Sequence, residues 1–340
     1  MNELLFYISV ALTLCFAVIN GFHDGGNVIA TIVCSRSMHP VKALLWATVA
    51  EFLGPVLLGT AVAHTMTIGI IRPEYVQQLT PGNIYLLIIA AVGGAIIWNL
   101  ATWFLGLPSS SSHALIGGLL GAGLVSAGTK GVALTNMVEI VLLPLFISPF
   151  IGIVLGFLVF SLIRISLTGA PRGIARYFVV LQVPSMLFLA GTHGSNDAQK
   201  SMGVILIVLA AAAGIKVEDC SVPQWVVLSC AAAVALGLSA GGWRMIKTVG
   251  YGICRLEPVH SFASQLTATA VILGASLLGG PVSTSQVVAS SIMGVGASRR
   301  LSSVRWPVTA NIAYAWILTV PISAALAAAI YWLLHRFVRV

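Results

Sequence analysis

The sequence predicts an all-α polytopic membrane protein made of two inverted-topology repeats with broken helices and re-entrant hairpins, and three observations carry that reading. The chain of 340 residues is 58% hydrophobic and only 8% charged, against roughly a quarter charged in a soluble domain, and its mean hydropathy is +1.01. Its apolar runs show no period-two alternation, so they read as helices and not as barrel strands. Two polar motifs then occur twice at one spacing: NGFHDGGN around Asp24 is echoed by THGSNDAQK around Asp197, and PSSSSH from Pro108 is echoed by PVSTSQ from Pro281, each pair 173 residues apart. Gly21/Gly194, Gly106/Gly279, Ser110/Ser283, Ser112/Ser285, Gly121/Gly294 and Gly123/Gly296 fall into register at that offset without a gap.

The elements follow in order. Residues 4–38 would make a helix of about 50 Å at 1.5 Å per residue, too long for a hydrocarbon core of about 30 Å. Gly21, Gly25 and Gly26 bracket His23 and Asp24, which predicts an unwound break there. Residues 41–63 return across the membrane, 83–128 form a hairpin whose tip is the serine motif, and 137–163 cross once more. The second half repeats the plan: 178–214 with a break around Gly191, Gly194, Asn196 and Asp197, then 223–243, a hairpin over 262–297 and a last helix over 307–334. Residues 1–167 and 178–340 are thus the two repeats, joined by a short cytoplasmic linker at 168–177. An odd number of crossings per half inverts the second against the first, the plan by which many transporters build a site at a repeat interface.

Basic residues set the orientation. With both termini outside, eleven of the 17 Lys and Arg face the cytoplasm and five lie outside, Arg336 and Arg339 among the five; Lys200 sits inside a motif. The net charge of +8 is therefore spent on topology, and a nucleic-acid partner is not expected. Met1-Asn2-Glu3 carries no basic n-region, so no cleaved signal peptide is expected. Five cysteines without a CxxC pair read as free apolar residues. No nucleotide-binding loop occurs, which argues against direct ATP drive.

The chemistry lies in the duplicated motifs. Each serine motif begins with Pro and continues with hydroxyls: Ser110, Ser111 and Ser112 with His113, then Ser283, Thr284 and Ser285 with Gln286. Proline suits the first turn of a helix and Ser or Thr its cap, so each motif reads as a hairpin tip where a helix starts. A helix N-terminus presents free N–H groups and a positive dipole end, and hydroxyls add donors, so two such tips make an anion site without arginine. Asp24 and Asp197 cannot face an anion unaided, which predicts cations or protons between them. His23 or His113 could carry a proton, because imidazole titrates near neutrality. Lys200 either touches the anion or neutralises Asp197 one turn away, Gln199 neighbours the site, and Glu51 is either a hydrogen-bonded helix residue or a proton relay. Gly117/Gly121 and Gly152/Gly156 have the spacing of close helix contacts.

These residues resemble a known family. FHDGGNVIAT and HGSNDAQKSMG are similar to the duplicated signature of the inorganic phosphate transporter (PiT) family, and GLPSSSSHALIG and PVSTSQVVASSIMG to its two serine-rich tips, so the resemblance covers essentially the whole chain. It implies symport of inorganic phosphate driven by H⁺ or Na⁺ in a multi-pass plasma-membrane protein, commonly a homodimer in the lipid bilayer, with no other cofactor. By resemblance, Asp24, Asn27, Asn196 and Asp197 take the polar break positions that serve coupling ions and phosphate, Asn27 and Asn196 with Gln199 and Lys200 on the substrate side, and all four as metal ligands if the coupling ion is Na⁺. Ser110, Ser111, Ser112, Ser283, Thr284 and Ser285 take the phosphate-holding positions. His23 stands where many members have Asn, Gln286 where His is common, and the long central loop of animal members is missing; the first and last features point to a bacterial-type transporter. Sulfate or a metal–phosphate complex are alternative cargoes. An intramembrane hydrolase, using Asp24 with Asp197 or Ser112 with His113, and an uncoupled anion channel are the readings from other classes.

Overall fold

The computed structural model describes residues 1–70 and 72–338; Arg339, one of the basic residues weighed for topology, lies outside them. Among the described residues there are helices and no β-strands. In the first half α1 spans Asn2–Cys34, α2 Pro40–Leu57, α3 Ala61–Ile68, α4 Pro73–Gln78, α5 Pro81–Leu105, α6 Ser111–Gly131 and α7 Leu134–Ser166. In the second, α8 spans Ala175–Ala213, α9 Gln224–Ser239, α10 Trp243–Tyr251, α11 Pro258–Leu277, α12 Thr284–Arg299 and α13 Trp306–Phe337. Seven of these are long and apolar enough to cross a membrane, eight if α9 and α10 form one bent span. The protein is therefore multi-pass. The duplication is visible in the element starts: Asn2 and Ala175, like Ser111 and Thr284, stand 173 residues apart.

The expected breaks at the aspartate motifs do not occur. Helix α1 runs through His23-Asp24 without interruption for 33 residues, and α8 runs through Asn196-Asp197 for 39. The motif glycines instead give close approach. A Cβ on Gly21 would strike the Val234 carbonyl of α9, one on Gly25 the Leu238 side chain, and one on Gly26 the backbone at Gly242. In α8, Gly194 meets the Glu51 backbone of α2 and Gly203 the Ala63 backbone of α3. Glycine in a helix costs about 1 kcal/mol against alanine, and tight packing against a neighbouring backbone offsets it. Helices longer than the hydrocarbon core must tilt or protrude.

The interruptions fall one element later. Helix α2 ends at Leu57, Gly59 takes φ +85°, and α3 begins at Ala61. In the second half Gly241 takes φ +81° and α10 leaves α9 at 59°. Positive φ is where glycine is required.

Packing interlocks the halves. Helix α1 lies on α9 and α8 on α2, α6 lies on α13, and α12 lies on α7. Small residues set the distance: Gly117 and Gly121 of α6 abut Val320 and Ala324 of α13, while Gly152 and Gly156 of α7 abut Ser290 and Ser291 of α12. The GxxxG spacings thus serve close packing, as their pattern predicts. Neither half keeps its own long helices to itself, and this exchange brings the two serine motifs together.

Candidate anion and coupling-ion site

Each hairpin turns on a left-handed glycine, Gly106 at φ +68° and Gly279 at φ +73°. The new helix is then capped by a serine: Ser110 Oγ accepts from the His113 amide and Ser283 Oγ from the Gln286 amide. Both prolines sit two residues ahead of the cap and not within the first turn, where they hold the approaching chain out of helical conformation. The tips touch each other. Ser112 Oγ donates to Val282 O at 3.3 Å, Ser285 Oγ donates to Ser109 O at 3.3 Å, and the Gln286 amide nitrogen lies 3.0 Å from His113 Nδ1. His113 and Gln286 are themselves repeat equivalents, so this contact marks the point about which the two copies are arranged.

Below the tips lie two triplets on helical faces, spaced i, i+4, i+7. In α1 they are Asn20, Asp24 and Asn27; in α8 the residues 173 further on are His193, Asp197 and Lys200. All six are at most 2% exposed. Their chemistry differs. Asp24 receives His23 Nδ1 at 2.8 Å, and the other ring nitrogen faces Thr102 Oγ1 at 3.2 Å and Ser109 Oγ at 3.3 Å. Both amide atoms of Asn27 and the oxygen of Asn20 are buried with no protein partner. In the second triplet nearly everything is engaged. Lys200 Nζ donates to Asp197 Oδ1 at 2.6 Å, Ser112 Oγ at 2.6 Å and Val282 O at 2.9 Å, and Thr284 Oγ1 donates to the same carboxylate at 3.2 Å. His193 Nε2 lies 3.5 Å from Asp197 Oδ2 while its Nδ1 meets Glu51 Oε1 at 3.1 Å. The first tip joins the two aspartates in one buried network: Ser109 Oγ meets His23, the partner of Asp24, and Ser112 Oγ accepts from Lys200, the partner of Asp197.

The sequence-nominated residues divide accordingly. Ser112, Thr284, Ser285, Lys200, Asp197, His23 and Asp24 belong to one contact network with the tips. Ser111 is buried in the first tip with its hydroxyl unpartnered, as is the Asn27 amide, so both can serve a ligand. Ser110 and Ser283 cap the new helices through their oxygens, and Ser283 Oγ also meets Ser285 Oγ at 3.3 Å. Gln199 binds the Val62 amide at 2.8 Å and so fixes the start of α3, and the Asn196 amide nitrogen goes to Ser276 at 2.9 Å. Sequence reading passed over His193, Asn20, Thr102 and Ser109 as site members. The 173-residue offset applied to Asp24's own helix face would have found the first two. The nominated hydrolase pairs find no support in the geometry: Ser112 binds Lys200 and Val282 while His113 binds Gln286, so Ser112 and His113 do not pair, and each aspartate has its own cationic or imidazole partner.

Charge, hydroxyl donors and helix N-termini thus meet in a region closed to solvent. Comparison with known proteins agrees with what such a region can bind. A profile of the phosphate transporter family matches residues 20–172 and 167–327. A protein of Rhizobium meliloti (strain 1021) is 40% identical over 95% of this chain and 94% of its own, and one of Bacillus subtilis (strain 168) is 38% identical over 98% and 99%; both are named probable low-affinity inorganic phosphate transporter. A solved structure described as the sodium-dependent phosphate transporter superposes with a TM-score of 0.88 at 26% identity, covering 98% of this chain and 100% of that one.

Proposed function

Since this chain belongs to the phosphate transporter family, we propose that it is a secondary active symporter carrying inorganic phosphate across the plasma membrane with H⁺ as the coupling ion. The observation that carries the reading is the pairing of the two serine tips beside Asp24 and Asp197, one carboxylate met by an imidazole and the other by an ammonium. The tips supply N-terminal amides and hydroxyls to a tetrahedral oxyanion. Asp24 must be neutralised before a phosphate can approach it in a low-dielectric site.

Imidazole contact is what favours a proton over sodium. His23 on Asp24, and His193 between Asp197 and Glu51, are contacts across which a proton can be held or passed. The relative solved as a sodium-dependent transporter makes Na⁺ the competing coupling ion. Alternating exposure would come from rocking the interlocked, inverted halves about the tip contact, and the working unit is proposed to be a homodimer.

The test is uptake of labelled phosphate by proteoliposomes under separately imposed gradients. An inward proton gradient is expected to drive accumulation that an uncoupler abolishes, and an equal sodium gradient is expected not to. Accumulation with sodium alone would assign the coupling to Na⁺. Equilibration without uphill accumulation under either gradient would make the protein a channel, and complete inhibition by sulfate would move the cargo.

A further inference from the structure

The two triplets are copies of one device, yet one of them contains its own cation. At the position of Lys200 the first half has Asn27. An ammonium has three N–H donors and no acceptor, and Lys200 Nζ meets three oxygens: a carboxylate, a hydroxyl and a main-chain carbonyl, at 2.6, 2.6 and 2.9 Å. Those three come from three separate elements, α8, the first tip and the second tip. Thr284 Oγ1 lies on the same carboxylate. An all-oxygen set of mixed carboxylate, hydroxyl and carbonyl donors is the kind that hard metal cations take. Lys200 is 1% exposed, so its charge cannot be balanced by solvent.

Resting on the symport reading above, we infer that Lys200 is a resident cation. Its ammonium fills a monovalent-cation site belonging to the second half, holds both tips against Asp197, and removes that half from cation coupling. In the first half the corresponding carboxylate is met by the His23 imidazole, and no lysine stands beside it. The second half has Asn196 at that place and a fixed charge at Lys200. Coupling is thereby confined to the first half. Restoring asparagine, as at Asn27, should leave the oxygens of Asp197, Ser112, Thr284 and Val282 free to bind Na⁺.

The experiment uses the full chain purified in detergent and reconstituted. Wild type is expected to show the same thermal midpoint in sodium chloride as in choline chloride. For Lys200→Asn the midpoint is expected to climb with sodium concentration and not with choline, as binding to the folded state alone requires, and phosphate uptake is expected to become sodium-dependent. Should Lys200→Asn fail to fold, Lys200→Ala provides a second reading: methylammonium, a free copy of the lost group, should restore its uptake, and the bulkier tetramethylammonium should not. The inference is overturned if folded Lys200→Asn shows no sodium-selective stabilisation, if Lys200→Met gains the same sodium response, or if neither Na⁺ nor methylammonium rescues the alanine variant. The midpoint measurement needs no phosphate transport, so failure of wild-type uptake would sink the transport reading and leave this one standing.

Discussion

Removing the charge of Asp197 while leaving Lys200 in place should cost more than any other single change in the site. The ammonium sits 2.6 Å from Oδ1 and is 1% exposed, and without the carboxylate it keeps only the neutral oxygens of Ser112 and Val282. Breaking a buried pair by deleting one partner costs about 3–5 kcal/mol, because the remaining charge is stranded away from water. At about 1.4 kcal/mol per decade, Asp197→Asn should shift the unfolding equilibrium by about two to three and a half orders of magnitude. Removing both charges is a different matter, since an apolar replacement for a buried pair is often close to neutral. The double variant Asp197→Asn/Lys200→Met should therefore recover most of the lost stability while transporting nothing. Equilibrium unfolding in mixed micelles across the double-mutant cycle measures this, and the interaction energy should be several kcal/mol. A double variant no more stable than Asp197→Asn, or an Asp197→Asn cost below about 1 kcal/mol, would refute the claim that Lys200 depends on Asp197.

Asp24→Asn should abolish phosphate uptake in proteoliposomes with membrane insertion intact. Wild-type uptake should grow with an imposed inward proton gradient, because in the proposed symport a proton joins the His23–Asp24 pair before phosphate binds; His23→Asn should flatten that dependence, and an unchanged dependence would remove His23 from coupling. Ser111→Ala should raise KM for phosphate about tenfold or more, the worth of a hydrogen bond to a charged group, whereas Ser110→Ala should leave KM nearly unchanged and cost about 1 kcal/mol of stability through the lost cap. Gly237→Ala, whose Cβ would strike the Val18 carbonyl and the Phe22 amide of α1, should destabilise by about 1–3 kcal/mol in thermal melts; Gly93→Ala, with only Ile330 Cδ1 at 3.6 Å, should fall within about 0.5 kcal/mol.

The site was legible in sequence to the extent that it is duplicated. Asp24 and Asp197, and the tips from Pro108 and Pro281, announce themselves because a constant spacing survives where most other positions have diverged. The helix caps were legible too, since Ser110 and Ser283 stand at tip positions that ask for side-chain acceptors. What failed was the inference from glycine to unwinding. Gly21, Gly25 and Gly194 look the same in sequence whether they permit a bend or a contact. The answer lies in Val234, Leu238 and Glu51 on helices that the local sequence does not name. The actual breaks, at Gly59 and Gly241, lie in runs that look like ordinary spans. The Glu51–His193 contact was hidden for a related reason: its partners are 142 residues apart, and nothing at offset 173 from Glu51 repeats it.

The differences between the copies determine the order of events more than the likeness does. An oxyanion brought to the tips meets Lys200 and Asp197, an ion pair within one helix, and Asp24, which is met by the His23 imidazole. While Asp24 is ionised, α1 sets a carboxylate beside the anion in a buried region, where Coulomb repulsion is only weakly screened. In the proposed proton symport, phosphate affinity is then linked to protonation of that pair, and by reciprocity bound phosphate holds the proton there. A symmetric site with two asparagine-type triplets would need two mobile cations to reach the same neutrality. With one charge built into the chain at Lys200, the proposed symport needs a single proton, and release of either ligand on the far side then promotes release of the other.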